Sequence, residues 1–331
     1  MKYRKLGNTD MTISVVGMGC WSFAGDGPWG TQDDSDSIAA VHAAFDVGVN
    51  FFDTAEGYGN GRSESVLGRA LVGRRDEAIV ATKVSASNLS KTELPKACKR
   101  SLERLQTDYI DLYQIHWPNP NIPIAESMEA LLKLRQEGKI RAIGVCNFGV
   151  QQLSDLLDVG RCETNQMSYS LVWRALEYEI KPLCIDKNIG TICWGPLSEG
   201  LLTGKFASPD DMPEARAATR HFSSERPQTS HGEPGAEEET FAAVNKIRDI
   251  ANRIGQPMAV VSLAWLLSQP GITAVLAGSR KPEQIRENTL AGDLELPPAV
   301  IAELTEVTNE LKCKLGPNQD MYLTAADSRI L

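Results

Sequence analysis

The sequence predicts a closed (β/α)₈ barrel, on three observations. Eight short apolar runs recur along 331 residues, stretches of helical period stand between them, and the glycine-rich signature of an open dinucleotide-binding sheet is missing. The runs are "SVVGM" (14–18), "VNFFD" (49–53), "AIVATK" (78–83), "YIDLYQIH" (109–116), "RAIGV" (141–145), "TNQM" (164–167), "GTICW" (190–194) and "ITAVLA" (272–277). Most show little polar alternation, as expected of parallel strands covered by helices. Pattern alone leaves an open sheet possible, but "GMGCWS" stops short of GxGxxG. "GLLTGKF" is one residue short of a P-loop, with Phe206 where Ser or Thr is needed.

The elements follow in order. "KYRKLGNTDMTIS" alternates about a Gly-Asn-Thr-Asp turn and predicts a leading β-hairpin. "DSIAAVHAAFDVG" predicts a helix with Asp34 or Ser35 as N-cap and Gly48 just past its end. "LPKACKRSLERLQ", "IAESMEALLKLRQEG" and "VQQLSDLLDVG" predict three more. After the seventh strand, residues 206–240 are rich in Pro, Gly, Ser and charge, and read as a long loop too polar to pack, a lid over a ligand. An extra helix and tail follow from about 298. The expectation is one barrel domain over residues 1–331.

The net charge of −9 argues against a general nucleic-acid binder or a polybasic membrane-surface protein. No apolar run reaches the ~18 residues of a membrane span, and the N-terminus carries no signal-peptide pattern. The seven cysteines are odd in number, lack CxxC spacing and mostly sit in apolar surroundings, so neither a zinc site nor a disulfide framework is expected. A reducing cytoplasm is the simplest expectation, with no metal. The lack of long heptads favours a monomer.

Function in a barrel gathers at the C-terminal ends of its strands. Asp53 ends the second strand, Lys83 the third and His116 the fourth, with Tyr58 just after the second. Tyrosine, with a pKa of roughly 10, exchanges protons poorly near neutrality. A lysine at hydrogen-bond range favours its phenolate, and an aspartate can hold that lysine charged. His116 can then hydrogen-bond a substrate oxygen, which suits proton transfer at a carbonyl or alcohol. Each residue alone has an ordinary structural explanation; their convergence on one mouth points to catalysis.

"FFDTAEGYGNGRSE", "ATK", "YQIHWP" and "IGVCNF" resemble the successive signatures of the aldo-keto reductase superfamily, in order over nearly the whole chain. "LGPNQDMY" (315–322) resembles a bacterial branch associated with inositol catabolism and general stress. The resemblance implies an NADPH-dependent oxidoreductase that reduces aldehydes or ketones reversibly, with Asp53, Tyr58, Lys83 and His116 as catalytic tetrad. NADH remains possible, because Gln284 stands where many relatives have arginine. An NADPH-binding sensor subunit with little turnover, or a sugar or polyol dehydrogenase, are the other readings.

"AGSRKPEQIREN" places Arg280 and Lys281 before Pro282 at a helix start, where cations are unfavourable unless an anion sits there. By resemblance, Ser279 and Arg280 take the adenosine 2′-phosphate, with Gln284, Glu287 and Asn288 near the adenine and its ribose and Gly278 among the cofactor-binding residues. Asn147 and Gln166 hold the nicotinamide carboxamide, Trp194 stacks on the ring, and Cys146 stands where relatives have serine. By the same resemblance Pro196, Leu197, Ser198, Gly200, Leu201 and Lys205 wrap the pyrophosphate, Gly195 is among the cofactor-binding residues, and Gly19 and Trp21 approach from the other side. Trp21, Trp29, Tyr58, His116, Trp117 and Phe148, with Trp173 a further possibility, are expected to wall a pocket for a small carbonyl or alcohol with an apolar part.

Overall fold

The computed structural model describes residues 1–331. The hairpin forms from β1 (Tyr3–Lys5) and β2 (Thr12–Ser14), paired antiparallel. Its apolar side chains Leu6, Met11 and Ile13 are buried against Phe51, Ala81, Leu112, Ala142 and Ile192, so the hairpin plugs the N-terminal end of the barrel.

Eight parallel strands close the barrel: β3 (Val16–Gly19), β4 (Phe51–Asp53), β5 (Ile79–Val84), β6 (Ile110–Ile115), β7 (Ile140–Cys146), β8 (Thr164–Ser168), β9 (Gly190–Trp194) and β10 (Ile272–Gly278), which returns to β3. Each predicted run is one of them, with ends displaced by two residues or fewer. The helices α1 (Asp34–Asp46), α2 (Arg62–Ala70), α3 (Glu93–Leu105), α4 (Ile124–Gln136), α5 (Val150–Val159) and α6 (Ile180–Asp186) follow β3 to β8 in turn. Two helices, α7 (Glu237–Arg253) and α8 (Met258–Ser268), lie between β9 and β10, and α9 (Pro282–Thr289) follows β10. The predicted terminal helix is two, α10 (Pro298–Glu306) and α11 (Asn309–Leu315), before the tail.

The N-cap of α1 is Asp33, whose Oδ1 accepts from the Ser35 amide at 2.7 Å, rather than Asp34 or Ser35. Asp34 pairs instead with Arg62 at 2.5 Å and with Arg69, tying α1 to α2. Gly48 has the left-handed φ of +83° expected just past a helix.

The segment 206–240 corrects the sequence reading, for it packs. Phe206, Met212, Phe222 and Ala236 are buried with the main core. Its polar side chains serve the surrounding backbone: Arg220 donates to the Leu315 and Asn318 carbonyls at 2.9 and 3.2 Å and pairs with Glu233 at 2.8 Å. Arg226 pairs with Glu237 at 2.6 Å and donates to the Pro209 carbonyl at 3.1 Å. Residues from 237 belong to α7.

Candidate active site

The C-terminal mouth opens into a cleft of about 660 Å³. At its floor, Lys83 reaches across from β5 and is 1 % exposed. Its Nζ donates to Asp53 Oδ1 at 2.5 Å, to the Thr54 carbonyl at 2.9 Å and to the Tyr58 hydroxyl at 3.3 Å. Three donors thus meet three oxygens, which fixes the ammonium. The second oxygen of Asp53 accepts from Gln166 at 2.7 Å and Gln114 at 3.2 Å, so the buried carboxylate is satisfied on both sides.

Local backbone geometry delivers Tyr58. Glu56 N donates to the Lys83 carbonyl at 3.2 Å, tying this turn to β5. Gly59, Asn60 and Gly61 then run in left-handed conformation, with φ of +57°, +51° and +89°. A Cβ on Gly59 would lie 2.8 Å from the Ala24 carbonyl oxygen, so glycine is required there for both angle and space. The Tyr58 ring stands edge-on to His116, with centroids 5.6 Å apart, and 6.1 Å from Trp21.

Electrostatics separate the groups. Burial is the largest single influence on Lys83 and opposes its charge, yet the Asp53 carboxylate, with Tyr58, Cys146 and the Asp53 hydrogen bond adding to it, raises the ammonium's pKa on balance. Burial pushes Tyr58 up to about 12 even though Lys83 pulls the other way. The sequence reading gave Lys83 the upper hand over Tyr58; desolvation of the phenol wins instead. Burial, and then the Lys83 charge, push His116 down to about 3, so its imidazole is neutral at physiological pH. The arrangement can deliver a proton from a phenol and stabilise the negative oxygen left behind, beside a neutral imidazole that donates a hydrogen bond.

Gly19, Trp21, Asn147, Gln166, Trp194, Gly195, Pro196, Leu197, Ser198, Gly200, Lys205, Gly278, Arg280 and Gln284 all line the cleft, with Trp29, Tyr58, His116 and Trp117. Trp194 is pinned by its indole N–H donating to Asn147 Oδ1 at 3.0 Å, and Asn147 donates to the His116 carbonyl at 3.1 Å. Asn147 Nδ2 keeps a second N–H for a ligand, whereas Gln166 Nε2 is committed to Asp53 and to Gln114 Oε1 at 3.4 Å.

Other expected residues lie elsewhere. Phe148 and Trp173 are core side chains with 1 % exposure, Trp173 packed against His221, so neither walls the pocket. Cys146 and Leu201 are buried behind the cleft surface, and burial pushes the Cys146 thiol's pKa up. Ser279 is fully buried with Asn288 Nδ2 at 3.4 Å from its hydroxyl, and Glu287 is outside the cleft wall. Arg280 turns inward rather than over the helix start. It donates to the Trp29 and Thr31 carbonyls at 2.8 and 2.5 Å and to Gln32 at 2.6 Å, while Gln284 caps its backbone amide at 2.7 Å. Residues 29–32 are thereby strapped across the cleft.

Tyr322, Arg216 and Glu199 also line the cleft and were missed in the sequence. Tyr322 comes from the tail, where Asp320 accepts from the Tyr322 amide at 3.1 Å and pairs with Arg329 at 2.8 Å. The "LGPNQDMY" motif was a signal for it, read only as a mark of kinship.

A closed barrel thus carries a buried lysine–aspartate pair under a tyrosine at the mouth of the cleft. Residues 15–309 match the sequence profile of the Aldo/keto reductase family, and the chain belongs to that family. It is 36 % identical to the aldo-keto reductase YhdN of Bacillus subtilis (strain 168) over 300 residues, 86 % of this chain and 87 % of that protein. It is 32 % identical to the NADH-specific methylglyoxal reductase of Escherichia coli (strain K12), over 94 % of this chain and all of that one. A probable voltage-gated potassium channel subunit beta of Oryza sativa subsp. japonica is 30 % identical over 93 % of this chain and 96 % of its own. Among solved structures, the glycerol dehydrogenase of Gluconobacter oxydans superposes with a TM-score of 0.80 at 31 % identity, covering 96 % of each chain. An aldo-keto reductase from Klebsiella pneumoniae in complex with NADPH gives 0.74 at 28 % identity, covering 93 % of this chain and 96 % of that one.

Proposed function

We propose that the chain is one barrel domain that reduces aldehydes or ketones with NADPH, reversibly, with Tyr58 as general acid. The observation that carries this reading is the single Lys83 ammonium held between the Asp53 carboxylate and the Tyr58 hydroxyl, beneath an open cleft. The cleft's volume of about 660 Å³, the Trp194 indole in its wall and its cations Lys205, Arg216 and Arg280 fit a dinucleotide. When bound, NADPH supplies the hydride.

The chain's residues do the rest. His116, neutral, donates a hydrogen bond that orients the carbonyl oxygen toward Tyr58. Tyr58 hands its proton to that oxygen, and Lys83 stabilises the phenolate as it forms. Asp53, with Gln114 and Gln166, holds Lys83 charged and aimed. Trp21, Trp29, Trp117 and Tyr322 exclude water and favour substrates with an apolar or aromatic part. Asn147 and Trp194 orient the nicotinamide, and residues 194–205 take the pyrophosphate. Cofactor selectivity falls to Arg280 and Gln284. The relatives include an NADH-specific enzyme and an NADPH complex, so both cofactors belong in the assay.

The test follows nicotinamide absorbance with methylglyoxal and with 4-nitrobenzaldehyde, using NADPH and NADH in parallel. Turnover with NADPH is expected. The potassium-channel relative favours a second reading, a dinucleotide-binding subunit with little turnover. Tight NADPH binding without consumption of any carbonyl would replace the first reading with that one.

A further inference from the structure

We propose that Glu199 enters the dinucleotide complex as a neutral carboxylic acid, donating its proton toward a phosphate oxygen, so that cofactor binding takes up a proton above neutral pH. The proposal rests on the reading that the cleft holds NADP(H) with residues 194–205 against its pyrophosphate.

Glu199 lies in the turn after β9, where Ser198, Glu199 and Gly200 run consecutively with φ of +46°, +54° and +97°. A left-handed backbone is costly for a non-glycine residue. Here the turn is pinned by a 2.7 Å contact between the Ser198 and Ser170 hydroxyls. The conformation sets the Glu199 side chain in the cleft wall, and its Oε2 is buried with no hydrogen-bond partner. A half-buried acid without a partner, in a cleft suited to a polyanion, is an unusual placement, since an ionised carboxylate there would repel the phosphates.

The charged and titratable groups around Glu199 come from four segments and leave it unpaired. Arg216, from the segment before α7, is the charge that pulls most on it, yet that guanidinium stacks on Trp29 at 4.7 Å and donates to the Pro28 carbonyl at 3.1 Å. Lys205, from its own turn, has its ammonium 4.9 Å from the Phe206 ring centre. Tyr322, from the tail, carries a phenol whose pKa is raised by burial and then by the Glu199 charge, so it stays neutral. Arg280 commits three of its donors to residues 29–32 and makes no contact with Glu199. Burial therefore pushes Glu199 up to about 7, against the pull of Arg216. A phosphate beside it raises that value further, because a second negative charge disfavours ionisation. In the sign that linkage requires, the free protein loses the proton above pH 7 while the complex keeps it, so affinity is constant below that point and falls as pH rises.

The test titrates NADPH and NADH into the whole protein between about pH 5.5 and 9, reading quenching of tryptophan fluorescence, with wild type beside Glu199→Gln. NADH lacks the 2′-phosphate and removes that group's own titration. In the wild type, Kd for both cofactors is expected to rise roughly tenfold per pH unit above 7. In Glu199→Gln, which keeps a neutral side chain of the same shape, the extra slope vanishes and Kd stays near the wild-type acid value. Calorimetry of wild type in two buffers of different ionisation enthalpy should show uptake of close to one proton per cofactor at pH 8. The same pH slope in both proteins, affinity that improves as pH rises, or no proton uptake would overturn the proposal alone. Failure of both proteins to bind either dinucleotide at any pH would overturn the underlying reading and the proposal with it.

Discussion

At the scale of single residues, the site pushes apart the pKa values of two groups that touch the same space. Tyr58 rises to about 12 and His116 falls to about 3, both chiefly through burial. Carbonyl reduction needs the phenol protonated, so its kcat should stay flat from about pH 6 to 9. Alcohol oxidation needs the phenolate and should climb across that range. Profiles of kcat in both directions check this; a break in reduction near pH 6.5 would instead mark His116 as the proton donor. Asp53→Asn leaves the Lys83 ammonium buried beside a neutral amide, and should lower stability by about 3–5 kcal/mol in urea unfolding. The sign follows from Lys83's raised pKa: the ion pair contributes fully below the unfolded value of about 10.4 and is lost only as pH climbs past it. The wild-type stability difference over Asp53→Asn should therefore hold steady between about pH 6 and 9.

At the scale of elements, strands were readable because their apolar runs are short and bounded by turns, and Asp53, Lys83 and His116 followed from strand ends alone. Segment 206–240 was misread because composition counts its arginines as solvated, whereas Arg220 is buried and caps carbonyls of α11 and the tail. Arg220→Leu should orphan those carbonyls and cost on the order of 3 kcal/mol, measured by thermal or urea unfolding. Phe148 and Trp173 look like pocket walls on the strand-end argument, but their side chains turn into the core. No spacing rule gives that direction. Nor does any rule place residues 29–32 against Arg280, 248 positions away from Gln32. Arg280→Gln should free that strap and raise KM for NADPH roughly tenfold with kcat little changed, since a binding contact equal in ground and transition states affects KM alone.

At the scale of the whole molecule, the barrel closes β10 onto β3 and is plugged at one end by the hairpin, so the other end is the open face. Tail, strap and segment 206–240 converge on that face from distant parts of the chain. No helix is long and apolar enough to cross a membrane. Because the cleft draws on so many elements, ligand binding should stabilise the fold as a unit: NADPH at one hundred times its Kd should add about 2.7 kcal/mol, seen as a rise in Tm. The central claim is that Lys83 and Asp53 make Tyr58 the proton donor. It is tested most directly by comparing wild type with Tyr58→Phe for NADPH-dependent reduction of 4-nitrobenzaldehyde, with NADPH affinity measured alongside. Tyr58→Phe should lower kcat about 10²–10⁴-fold and leave Kd for NADPH unchanged. Tyr58→Phe turning over at the wild-type rate would contradict it.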